Sequence, residues 1–242
     1  MRFVDLRRRS LGRSLRGHIC HLTSNSSPRE ILKSLLNDGN TAAWFYAGAG
    51  QTVTGSGVST WADQSGNGRD LTQGCDAARP ALLADGSVLF NGTSHYLKSG
   101  AFTLNQPETV YLVANPVTWT NADYIYDGLT NVVMALFQNN SSPEIYIRAG
   151  AVLNGVNFTV GAYGILTVQF NGASSDTQYN ADAPITGNAG ASNAGGLTLG
   201  ANGGNTNWAN VQVKEWIIRA TVDSAATRLA IQTALNREYS LF

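Results

Sequence analysis

From Thr41 onward the chain alternates short apolar runs with polar punctuation. AAWFYA, VSTW, SVLF, TVYLVA, YIY, VVMALF, EIYIR, ILTVQF, LTLG and VQVKEWIIR each end at Gly, Asn, Asp or Pro or at a short polar turn. Spaced by roughly ten residues, they read as about a dozen strands. No helical period intervenes between them, which predicts an all-β domain of two packed antiparallel sheets. In TVYLVA, Val110, Leu112 and Ala114 fall on one side and Tyr111 and Val113 on the other. Both sides are apolar, as in a strand covered on both faces. Gly-containing turns in FNGTSHYL and QFNGASSDTQY predict hairpins.

The period changes at both ends of this β text. In SPREILKSLLNDG, Ser27 and Glu30 form a capping box, Pro28 takes the first helical position and Asp38-Gly39 supplies a stop. Ile31, Leu32, Leu35 and Leu36 share one face, so the helix must dock, on its own body or on a neighbouring subunit. At the other end DSAATRLAIQTALNREY predicts a helix over about residues 223–238, capped by Asp223 or Ser224, with Leu229 and Leu235 turned inward. The chain thus divides into an extended arm (1–27), a short amphipathic helix and linker (28–40) and a β domain with a closing helix (41–242).

Several segments then fall in a known order: AAWFYAGAG, VSTWADQSGNGRDLTQ, ARPAL, SVLFNGTSHYL and the final LTLGANGGNTNWANVQVKEWIIRATVDSAATRLAIQTALNREYSL. Over about residues 41–241 this resembles the concanavalin A-like, laminin-G-like jelly-roll domains of tailed-bacteriophage structural proteins and bacterial surface proteins. The Trp-x-Asp-x-Ser-Gly-Asn-Gly loop, the Phe-Asn-Gly-Thr strand entry and the terminal strand–helix unit are its most specific parts. The family's Tyr-Val-Asn-Gly hairpin stands here as TQYNADAP, without the glycine. The resemblance implies an antiparallel jelly-roll sandwich; such a scaffold carries lectins, hydrolases and structural modules alike.

Charge refines this picture. The 242 residues carry no formal net charge, yet residues 1–16 hold Arg2, Arg7, Arg8, Arg9, Arg13 and Arg16 against Asp5 alone. Such an arm is expected to dock on an acidic partner. Few aromatics accompany the arginines, which argues against nucleic acid. No run reaches the ~18 apolar residues of a membrane span, and no apolar stretch follows the basic start as in a secretory signal. Cys20 and Cys75 lack the spacing of a zinc site or a disulfide framework and are expected as free, buried thiols.

Two constellations could carry binding. Asp63, Ser65, Asn67 and Asp70 match the first half of a Ca2+ loop, the only cofactor the sequence suggests, but Gly74 stands where the closing Glu would. The other reading makes the same residues Asx turns that hold the chain, which is the commoner use of such a run. A glycan site would draw on Trp119, Tyr124, Tyr126 and Trp208 with Asn202, Asn205 and Asn207. Catalysis has no paired-carboxylate motif, since Glu144, Glu215 and Glu238 stand apart, and His18, His21 and His95 form no triad.

The expectation drawn from all this is a non-enzymatic phage structural protein at the virion surface. It is multicopy and anchored to a major capsid or tail protein by the arm arginines with Ile31, Leu32 and Leu35, and its jelly roll faces host-surface glycans. The alternatives are a secreted or surface carbohydrate-binding module of a bacterium and, behind it, a glycoside hydrolase or lyase.

Overall fold

A computed structural model describes residues 26–140 and 142–242. The arm arginines Arg2, Arg7, Arg8, Arg9, Arg13 and Arg16 and the thiol Cys20 lie outside the described residues.

In chain order the elements are α1 (Pro28–Leu36), β1 (Thr41–Tyr46), β2 (Gln51–Thr54), β3 (Gly57–Trp61), β4 (Leu71–Thr72), β5 (Ala81–Leu82), β6 (Val88–Asn91) and β7 (Leu97–Lys98). Next come β8 (Glu108–Pro116), β9 (Tyr124–Gly128), β10 (Ala135–Asn139), β11 (Glu144–Arg148) and β12 (Val152–Asn157). The chain closes with β13 (Gly164–Phe170), β14 (Ser175–Tyr179), β15 (Ile185–Gly187), β16 (Leu197–Leu199), β17 (Asn210–Arg219) and α2 (Ala225–Tyr239). One sheet, here sheet A, runs β15-β14-β13-β8-β17-β6-β5, with β1 added to the far half of β17; sheet B runs β12-β11-β10-β9-β16-β7-β4-β3-β2. Every strand pair is antiparallel, as expected of a sandwich whose neighbours are joined by hairpins and crossovers.

Phe45, Trp61, Phe90, Leu112, Tyr126 and Trp216 fill the space between the sheets. The other side of sheet A, carrying Tyr111, Val113, Ile165 and Ile217, is roofed by Leu32 and Leu36 of α1 and Ile231 and Leu235 of α2. β8 is therefore apolar on both sides, as its sequence predicts. Leu229 is the exception to the predicted helix face: it is 65% exposed, because six positions from Leu235 is not a whole number of helical turns. The caps follow the sequence. Ser27 Oγ accepts the Glu30 N–H at 3.3 Å and Ser224 Oγ accepts the Thr227 N–H at 3.1 Å. The reciprocal half of the box is unused, since the Glu30 carboxylate instead takes Lys33 Nζ at 2.8 Å. Cys75 is a free thiol, but exposed rather than buried.

The helix layer is also an ionic layer. Arg29 donates to both oxygens of Glu215 at 2.8 and 2.9 Å, to Glu238 and to the Tyr239 hydroxyl. Trp44 Nε1 completes the Glu215 carboxylate at 2.7 Å. Arg219, with 1% of its surface exposed, grips Asp38 beyond α1 at 2.7 and 2.6 Å and Asp223 ahead of α2 at 3.0 Å. Arg228 of α2 forks onto Asp176 of β14 at 2.8 and 2.7 Å. This corrects the anchoring assignment of Ile31, Leu32 and Leu35. Leu32 is wholly buried, Ile31 and Leu35 pack against the same cluster, and the helix's apolar face is spent on its own domain. Burying one such leucine contributes about 1.5–3 kcal/mol, which a foreign partner would have to replace.

No helix among the described residues is long and apolar enough to cross a membrane.

Candidate functional site

The Trp-x-Asp-x-Ser-Gly-Asn-Gly loop, which leaves β3, staples it to β1. Asp63 Oδ1 accepts the N–H groups of Trp44 (2.9 Å) and Ser65 (2.8 Å), while Oδ2 accepts the Ser65 hydroxyl (2.8 Å) and the Arg69 N–H (3.1 Å). Asp70 takes the Asp63 N–H at 2.9 Å. Asn67 turns its amide N–H2 to the carbonyls of Thr41 and Ala42, presenting donors where a cation would need an oxygen. Gly66 and Gly68 sit at φ +88° and +68°, the conformation that lets so short a run reverse twice. The Asx-turn reading accounts for Asp63, Ser65, Asn67 and Asp70, and the Ca2+ reading is corrected accordingly. No cluster of metal-ligating side chains occurs among the described residues.

The proposed sugar residues separate. Tyr126 is fully buried between the sheets with its ring 5.2 Å from that of Trp216, so it is a core residue. Asn202 is 4% exposed, and its side chain is consumed inside its own loop by Gly204, Thr206 and Asn207. Trp119 is half-buried in a loop, packs against the inter-sheet core and donates its indole N–H to the Asn140 carbonyl at 3.2 Å. Asn205 receives Lys98 Nζ at 3.4 Å.

Tyr124 and Trp208, by contrast, come together: they form a bridge between β9 and the loop after β16, and the Tyr124 N–H reaches the Asn207 carbonyl at 2.8 Å. On its other side Tyr124 stacks on Phe137 of β10, with centroids 5.0 Å apart and planes 17° from parallel. Phe137 meets Tyr146 of β11 edge-on at 5.9 Å. Tyr124, Phe137 and Tyr146 thus form a row across three adjacent strands, on the face of sheet B turned away from the core. Ala135 and Arg148, register partners, occupy the next row. Phe137, Tyr146 and Arg148 were not singled out by sequence. The available signal was the alternation in EIYIR, which puts Tyr146 and Arg148 on one side and Ile145 and Ile147 on the other.

The loops beside this row are held from beneath by Asp127. Its fully buried carboxylate accepts the N–H groups of Gly128, Val132, Val133, Met134 and Gly203, at 2.7–3.4 Å. Lys98 Nζ donates to the Gly203 carbonyl at 2.7 Å; desolvation lowers its pKa, with Asp127 opposing. Burial raises the Tyr124 phenol, as does Asp127, while Arg148 pulls it down. Burial also pushes the half-buried Asp123 carboxyl up to about 6, against a hydrogen bond with Thr120.

No protein-family model and no curated protein matches the sequence. Solved structures do. An arabinofuranosidase, solved with arabinofuranosyl-α-1,2-xylobiose, matches with a TM-score of 0.64 at 16% identity, over 88% of this chain and 65% of that one. Trypanosoma rangeli sialidase matches with a TM-score of 0.60 at 9% identity, over 84% of this chain and 34% of that one. The chain therefore spans just under two thirds of the arabinofuranosidase and about a third of the sialidase. At these identities the likeness establishes the β-sandwich fold. It also overturns the expectation of a non-enzymatic phage structural protein, because the sandwiches it leads to belong to glycoside hydrolases and nothing in them points to phage.

Proposed function

We propose that this β-sandwich is a saccharide-recognising domain of a carbohydrate-active protein, and that it binds through the outer face of sheet B. The half-exposed Tyr124, backed by the buried rings of Phe137 and Tyr146 on the sheet face that no helix covers, carries the reading. Sugar rings present C–H faces that pack on aromatic surfaces, while their hydroxyls take polar groups at the rim. Tyr124 is the half-exposed member that meets the ligand, and Phe137 stacks behind it to hold its plane. The exposed Asn207 and Asn140, on either side, supply amide groups. The arabinofuranosidase and sialidase likenesses support the saccharide class.

The test is a glycan array and calorimetric titration of the full chain, with neutral arabino-xylo-oligosaccharides and sialylated oligosaccharides as probes. Tyr124→Ala is expected to lose at least tenfold in affinity while melting within a few degrees of the wild type. Undiminished binding by this variant, or no saccharide bound by the wild type, would reject the site or the function respectively.

Hydrolysis is the second reading, favoured by Asp123. Its carboxyl, raised to about 6, immediately precedes Tyr124, and Glu144 lies at the same end of β11, opposite Asn139. A carboxyl in that range is suited to general-acid work. Asp123→Asn would then abolish release of sugar from an aryl arabinofuranoside and leave binding intact; equal turnover in both proteins would remove Asp123 from consideration.

A further inference from the structure

Arg148 is set apart among the described arginines. Arg29, Arg219 and Arg228 each fork onto carboxylates, Arg79 pairs with Asp76, and Arg69 donates to the Ala42 carbonyl and lies 4.2 Å from the Phe102 ring centroid. Arg237 is exposed to water. Arg148 is half-buried, no carboxylate pairs with it among the described residues, and its Nε–H is buried without an acceptor. It lies on β11 two positions after Tyr146 and across from the small, buried Ala135. Trp208 repeats the pattern at the other end of the row: its indole N–H is also buried and unpartnered.

A guanidinium drawn partly out of water without a counter-charge is a standing cost, and its planar fork matches a carboxylate in two parallel hydrogen bonds. An anion that relieves this cost while its carrier rests on the half-exposed Tyr124 ring is one borne by a ring-shaped, C–H-faced body. We infer that the outer face of sheet B selects carboxylate-bearing sugars, with the Arg148 guanidinium binding the carboxylate while the sugar ring rests on Tyr124. The inference rests on the saccharide reading above and narrows its ligand class. The carboxylate has two natural sources, a hexuronic acid or a nonulosonic acid of the sialic type. Arg148 already lies near enough to the Tyr124 phenol to lower its pKa.

The full chain is titrated with three probes: tri-galacturonate, sialyllactose and lactose, the last being the neutral counterpart. One or both acidic probes are expected to bind at least tenfold more tightly than lactose, with the preference shrinking as salt rises. Which one does so identifies the source of the carboxylate. Arg148→Gln should erase the preference and leave the lactose affinity within about twofold, while Arg148→Lys restores only part of it. If neutral and acidic probes bind equally to the wild type, the inference is overturned and the saccharide function stands. If the acidic preference survives in a folded Arg148→Gln, it belongs to another residue and the assignment fails. If no probe or array saccharide binds at all, the function proposed above falls and takes this inference with it.

Discussion

The two outer faces of the sandwich treat charge in opposite ways. On sheet A, beneath the helices, the buried arginines meet carboxylates within the chain: Arg29 with Glu215 and Glu238, Arg219 with Asp38 and Asp223, Arg228 with Asp176. All but Arg219–Asp223, four residues apart, join segments far apart in sequence, and each of these guanidinium groups is satisfied within the chain. On sheet B a row of aromatic rings runs beside two unpartnered donors, Arg148 Nε and Trp208 Nε1. A group satisfied internally has its role within the fold, whereas an unpartnered donor beside a half-exposed aromatic ring is a place where another molecule can complete the balance. Charge near burial is therefore informative only together with its partner.

The contrast can be attacked from both sides. The largest effect is expected from Arg219→Met. It strands Asp223 in the interior and frees Asp38, whose carboxyl, despite burial, Arg219 holds well below the usual carboxylate range. Breaking a buried pair from one side costs about 3–5 kcal/mol. Chemical denaturation should show it; a loss below 1 kcal/mol would mean the layer is not held by its ion pairs.

A second, pH-dependent effect comes from behind sheet A. Glu108 is fully buried with neither carboxyl oxygen partnered, and burial raises its pKa from 4.5 to about 8. The folded state thus keeps a proton that the unfolded chain releases, so stability falls as pH rises from about 4.5 to about 8. The loss is on the order of 3 kcal/mol by pH 7. Glu108→Gln should flatten that slope, and denaturation midpoints that fall as steeply in the variant would exclude Glu108 as its source.

The smallest effect should belong to Arg148→Gln. Without ligand it removes no paired charge, so the melting temperature should move by no more than a degree or two in either direction, within the range of ordinary surface changes of about 0.5 kcal/mol. A large drop would place Arg148 with the structural arginines and dissolve the contrast.

Much of the scaffold was legible in the sequence. Turn residues closed the strands of the β domain, and Ser27 and Ser224 marked the helix starts. The site was half legible, because Tyr124 and Tyr126 look equivalent under strict alternation. The structure separates them by a register shift: Leu136 opposes Tyr126 and Phe137 opposes Tyr124, so one extra residue of β9 is absorbed and the alternation flips. That bulge sends Tyr126 to the core and Tyr124 to the surface, and single-chain periodicity cannot reveal it. Of the partners of Tyr124, Phe137 was hidden for a related reason, because it sits in a run that is apolar on both sides; Tyr146 could be assigned a side from the alternation in EIYIR, but only strand pairing brings it against Phe137. The destination of α1 was likewise invisible, because an amphipathic stripe looks the same whether its cover is its own sheet or another molecule.

Asp127 has a consequence for how such a surface can be altered. One carboxylate gathers N–H groups from both bordering loops and so fixes part of the backbone course of each, with the Asn202 side chain holding the rest of the second loop. Asn205 and Asn207 hold left-handed φ angles of +60° and +55°, which Gly, Asn and Asp adopt most readily, so exchange to suit a new guest is confined to that small set. A library of Gly, Asn and Asp at those two positions should be tolerated, whereas replacing Asp127 itself should unseat both loops together.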